Sequence, residues 1–137
     1  MTYGAYGQPG LPKPVFIGSV SASAPADWEP AHAAPSGTWV ANVTRLQAAT
    51  YPAGVRPTLI TDVGNIILGG EKAAARKVWS KSELLEQDQY YFNFTTRGSM
   101  QHSPPTQLFF FSPTGNPAAV HGVLECALVK GSPPLQV

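Results

Sequence analysis

"YYFNFTTRG" (residues 90–98) and "QLFFFSPTG" (residues 107–115) decide the fold class. In the first, Tyr90, Phe92 and Phe94 fall on one side of an extended chain, and Tyr91, Asn93 and Thr95 on the other. That is the two-residue period of a strand with one buried face. The second is apolar at every position from Leu108 to Phe111. Such a run predicts a central strand, covered on both faces, or one pressed against a second subunit. Two adjacent strands of this kind predict a sheet with a large aromatic core.

Working outward, the same pattern recurs between turn residues. "GTWVANVT" (residues 37–44) alternates, with Trp39, Ala41 and Val43 opposite Thr38, Val40 and Asn42. "VFIGSVSAS" (residues 15–23) reads as a first strand. "TLITDVGNIILGG" (residues 58–70) reads as a hairpin turning at "DVGN". "AAVHGVLECALVKG" (residues 118–131) reads as one long strand, with Gly122 at a bulge or bend. "APADWEPAHAAPS" (residues 24–36), with its three prolines, reads as a loop, and "YPAGVRP" (residues 51–57) as a connection.

Only "EKAAARKVWSKSELLEQD" (residues 71–88) has a helical composition, and it carries nearly half of the charged residues. Its lysines would equally guard an edge strand. The reading taken is a strand near residues 77–80, followed by a short turn capped by Ser82. Seven or eight strands at turn spacings of about ten residues predict an all-β fold, a single antiparallel β-sandwich or jelly-roll-like barrel. The expected division is an extended arm at residues 1–14, a β-sandwich domain at residues 15–131, and an extended tail at residues 132–137.

The surface chemistry narrows the function. Charged residues are 12 % of the 137, against roughly 25 % in ordinary soluble domains. Interface cores are depleted in Lys, Glu and Asp, so a surface covered by other chains is one explanation. A β-domain that uses neutral polar residues is the other. Net charge is +1, too little to gather a polyanion, so nucleic acid is not an expected partner. No stretch is long and apolar enough for a membrane helix, and no secretory signal pattern opens the chain.

The single cysteine, Cys126, excludes a disulfide framework within the chain, and it reads as a small buried hydrophobe. Asn42 and Asn93 each begin an Asn-x-Thr triplet that reads as chance.

No catalytic or metal set is expected, and no cofactor. His32, His102 and His121 are scattered, and none forms a close-spaced ligand pair with Cys126 or a carboxylate. His121 and Glu125 would share a strand face two pleats apart. Ser99, His102 and Asp62 make a nominal triad without a nucleophile elbow. Glu83, Glu86 and Asp88 read as a solvated acidic turn. Among the aromatics, Trp28 and Tyr91 are the candidates for a ligand platform or an interface, with burial the stronger reading for Trp28.

The arm "MTYGAYGQPGLPKP" has its own logic. Pro9, Pro12 and Pro14 fix extended backbone, while Tyr3, Tyr6 and Leu11 are its sizeable apolar groups. They are too few for a core and suited to pockets on a neighbour, so they are the expected interface residues of the arm.

In layout the chain resembles small viral β-sandwich proteins, on architecture alone. The expectation is a non-enzymatic structural protein of a large assembly. A bacteriophage virion component fits best: a minor capsid, cement (decoration) or tail protein. It would be made in the host cytoplasm, with other copies of itself and other structural proteins as partners and no membrane. The alternative is a carbohydrate- or receptor-binding β-domain.

Overall fold

The computed structural model describes residues 19–50, 60–70, 73–93 and 107–130. They form two packed sheets, an all-β sandwich. In chain order the elements are β1 (Ser19–Ser21), a 3-10 turn (Pro25–Asp27), β2 (Trp28–Pro30), β3 (Thr38–Asn42), α1 (Val43–Thr50), β4 (Ile60–Leu68), β5 (Ala73–Ala74), β6 (Arg76–Lys77), a second 3-10 turn (Lys81–Glu83), β7 (Gln89–Phe92), β8 (Gln107–Phe111), α2 (Pro117–His121) and β9 (Leu124–Lys130). One sheet has the order β1-β9-β4-β5 and the other β2-β3-β8-β7-β6.

The chain changes sheet at both edges. At one edge, residues 22–27 join β1 to β2, and the Trp28 indole N–H donates to the Ala22 carbonyl at 2.8 Å. At the other, Ala75 alone separates β5 from β6, and its N–H donates to the Ile66 carbonyl at 2.9 Å.

Alternation sorts the side chains as expected. Val20, Val63, Ile66, Leu68, Leu124 and Cys126 come from one sheet and meet Trp28, Ala41, Tyr90, Phe92, Leu108 and Phe110 of the other, all buried. Leu128 packs against this core half-buried. Phe110, with no exposed surface, takes the edge of Trp28 at 5.8 Å between ring centroids. β8 is central, between β3 and β7. Its outer residues Phe109 and Phe111 are also buried, in a second cluster with Val78 and Leu84. The run of apolar residues in β8 is thus covered on both faces within the one chain.

Five sequence expectations are corrected. The expected hairpin is one strand. Both halves of β4 pair with β9, with register shifts between Ile60 and Asp62 and between Val63 and Ile66. The shifts keep Val63, Ile66 and Leu68 in the core, which a turn at residues 62–65 would not do. The expected loop at residues 24–36 contains edge strand β2, whose alternation delivers Trp28 to the interior.

The strand near residues 77–80 lies earlier, at Arg76–Lys77, and pairs with β7 in parallel. All other strand pairs among the described residues are antiparallel. The long connection through the second 3-10 turn gives β7 room to return in the same direction as β6. That turn is preceded by Ser80 in place of Ser82.

The fourth correction is helix α1, which the alternation of "GTWVANVT" masked. The Asn42 side chain accepts from the Arg45 N–H at 3.1 Å, and Val43, Leu46 and Gln47 turn inward at helical spacing. The fifth concerns residues 118–131. Asn116 accepts from the Ala118 N–H at 3.0 Å, Pro117 opens α2, and Gly122 closes it at φ +73°. Gly122 therefore caps a helix, and His121 does not share a strand face with Glu125. The segments 1–14 and 132–137, together with Phe94, lie outside the described residues.

Candidate interaction surface

The connection from β6 to β7, residues 78–88, is built inward on one side and outward on the other. Leu84 is fully buried and Val78 is buried beside it, over Phe109 and Phe111. The neighbours Trp79 and Leu85 are 73 % and 70 % exposed. Of the adjacent pair Leu84 and Leu85 only one can face the sheet, and the 3-10 turn decides which.

The backbone beneath these two side chains is braced by a dense set of hydrogen bonds. The Trp79 and Ser80 N–H groups both donate to one Glu83 carboxylate oxygen, at 2.9 and 3.0 Å. The Leu85 and Glu86 N–H groups both donate to the Gln89 side-chain carbonyl, at 2.8 and 2.9 Å. Gln89 is itself buried. Trp79 and Leu85 thus project from a connection held by its own polar side chains.

The charges on this side are satisfied internally. Arg76 pairs with Glu86 at 2.5 Å, and Lys77 with Asp62. The Lys77 ammonium also lies 5.0 Å from the Trp79 ring centroid. Lys81 sits 4.9 Å over the Phe109 ring and donates to the Ala33 carbonyl at 3.3 Å. Asp88 meets the His121 imidazole at 2.7 Å. Glu83, Glu86 and Asp88, adjacent in sequence, therefore serve three separate structural ends.

The ionisable groups of the interior are held neutral. Burial pushes the Cys126 thiol up to about 12. Tyr90 is also raised to about 12, first by burial, then by the Asp62 carboxylate and by Cys126. Its hydroxyl donates to the Gly64 carbonyl in the bulged part of β4. Both groups are protonated at neutral pH, so neither is an activated nucleophile. Among the described residues no three His, Cys, Asp or Glu side chains are grouped to hold a metal ion.

The other sequence candidates fall as follows. Trp28 is in the core, 4 % exposed, and offers no ring face to a ligand. Tyr91 is half-buried, stacked on Phe109 at 6.2 Å and 28°, beneath the same connection. His32 is exposed in the loop after β2. Tyr3, Tyr6, Leu11, Ser99 and His102 lie outside the described residues. Trp79 and Leu85 were not singled out from sequence. The signal was a Trp inside the most charged stretch, where no apolar period gives it an inward face.

The chain matches no family model, no curated protein and no solved structure.

Proposed function

We propose that the chain is a non-enzymatic structural protein of a large assembly. Within that class, a bacteriophage virion component (minor capsid, cement or tail protein) fits best. In this reading it is made in the host cytoplasm and incorporated beside other copies of itself and other structural proteins. One observation carries the proposal: Trp79 and Leu85 stand exposed on a backbone braced from below. Left in water, a Trp forgoes roughly 150–250 Å² of burial, a few kcal/mol at about 25 cal/mol per Å². Covered by a neighbour, it is the residue type most enriched among interface anchors. The charged fraction of 12 % supports the same reading.

The test is sedimentation of particles from cells that make this chain. The chain should travel with the particles, and Trp79→Ala/Leu85→Ala should remain in the free-protein fraction. Wild-type chain found only in the free fraction overturns the proposal.

The exposed Trp79 ring also favours a second reading, a glycan-binding β-domain. There the ring would stack on a sugar, on the face not taken by Lys77. Glycan-array binding lost in Trp79→Ala would select it.

A further inference from the structure

We propose that the surface bearing Trp79 and Leu85 receives residues 9–14 of another copy of this chain, joining copies head to tail. This rests on the assembly reading above and names the contact.

The first argument is chemical. Arg76, Lys77, Lys81, Glu83, Glu86 and Asp88 are each engaged within the chain. The surface therefore offers two exposed apolar side chains, Trp79 and Leu85, among charged groups that already have contacts within the chain, which favours an occupant that brings apolar groups and little charge. The segment "PGLPKP" (residues 9–14) suits it. It has three prolines in a P-x-x-P spacing, Leu11, and Lys13 as its one charge. Proline-rich sequences of this kind dock on exposed aromatic side chains, because restricted backbone loses little entropy on binding. Tyr3 and Tyr6 precede the segment and extend the contact.

The second argument is topological. Ser19 begins β1, at the sandwich edge shared with β2, whereas Trp79 follows β6, at the opposite edge. Four strand spacings separate β2 from β6, about 19 Å. The five residues from Pro14 to Ser19 reach at most about 17 Å when fully extended. Pro14 therefore falls short of its own Trp79, so residues 9–14 do not all reach that surface within one copy. Leu11, eight residues from Ser19, spans up to about 27 Å. The mixing experiment separates such a self-contact, which leaves wild type monomeric, from a contact between copies. Donor and acceptor at opposite edges make a heterologous contact, which propagates into rings or filaments and does not close as a two-fold dimer.

The experiment mixes full-length variants. One carries the acceptor change Trp79→Ala/Leu85→Ala, and the other the donor change Pro9→Ala/Leu11→Asp/Pro12→Ala. In sedimentation velocity, wild type should form a concentration-dependent series of oligomers. Each variant alone should be monomeric or associate at least tenfold more weakly. Their equimolar mixture, with one intact donor and one intact acceptor, should stop at a dimer. Both acceptor residues are exposed, so melting temperatures should stay near wild type; Trp79→Gln alone is the substitute acceptor variant if the double change unfolds.

Wild type that stays monomeric at every concentration overturns the inference. So do variants that associate like wild type, and a mixture that remains monomeric. These outcomes leave the assembly reading standing. That reading falls instead if the chain is absent from purified particles, whatever its self-association.

Discussion

Trp28 shows how one side chain closes an edge of the sandwich. Its ring packs on Phe110, and its indole N–H satisfies the carbonyl of fully buried Ala22. Trp28→Phe keeps much of the apolar area but strands that carbonyl, and should cost about 1–3 kcal/mol in chemical denaturation. Gly37 is constrained differently. It holds φ +90°, and an added Cβ would meet the Pro113 backbone at 2.9 Å. Gly37→Ala should therefore lower stability by more than about 1 kcal/mol.

Cys126 sets an alkaline limit. The folded chain keeps its proton up to about 12, while the unfolded thiol releases it near 9. The folded state then binds more protons, so stability is full below the unfolded value and is lost as pH rises through the folded one. Tyr90 adds the same sign from about 10 upward. Melting temperatures between pH 8 and pH 11 should fall from about pH 9 for wild type, and from about pH 10 for Cys126→Ala, each relative to its value at pH 7. Identical profiles would remove Cys126 from this account.

At the scale of elements, the β6–β7 connection is the informative one. Its geometry depends on Glu83, which accepts from two backbone N–H groups. Glu83→Ala should cost about 1 kcal/mol and speed amide exchange at Trp79 and Ser80. Unchanged exchange there would show that Leu84 and Val78 alone hold the segment. Helices α1 and α2 teach a complementary lesson. Their caps, Asn42 and the pair Asn116 and Pro117, were present in the sequence. The flanking alternation of "GTWVANVT" and "LECALVK" dominated the reading because a five- to eight-residue helix offers too few turns for its own period to show.

At the scale of the molecule, stability and association should be separable. The core residues belong to the sandwich: Phe92→Ala or Phe110→Ala should cost about 3–5 kcal/mol, a large share of a domain's usual 5–15 kcal/mol. Trp79 and Leu85 lie outside it, so their joint replacement by Ala should change stability by about 0.5 kcal/mol or less while abolishing association. Deleting residues 2–14 should act likewise, leaving the melting temperature nearly unchanged and weakening incorporation into particles. A truncated chain that unfolds would place that segment in the fold.

The sequence by itself determined the all-β class and the shared face of Tyr90 and Phe92, and narrowed the Leu108 to Phe111 run to a central strand or a subunit contact, because these follow from local apolar patterning. Tertiary structure decided what local pattern leaves open. The bulges of β4 arise because two apolar stretches must reach one core against one partner strand. The parallel pairing of β6 depends on where a long connection returns. Leu84 is inside and Leu85 outside because the 3-10 turn directs one of the two adjacent side chains onto the outer face of β8. For the same reason the exposed surface at Trp79 was not legible in advance: exposure is set by what the rest of the chain leaves uncovered.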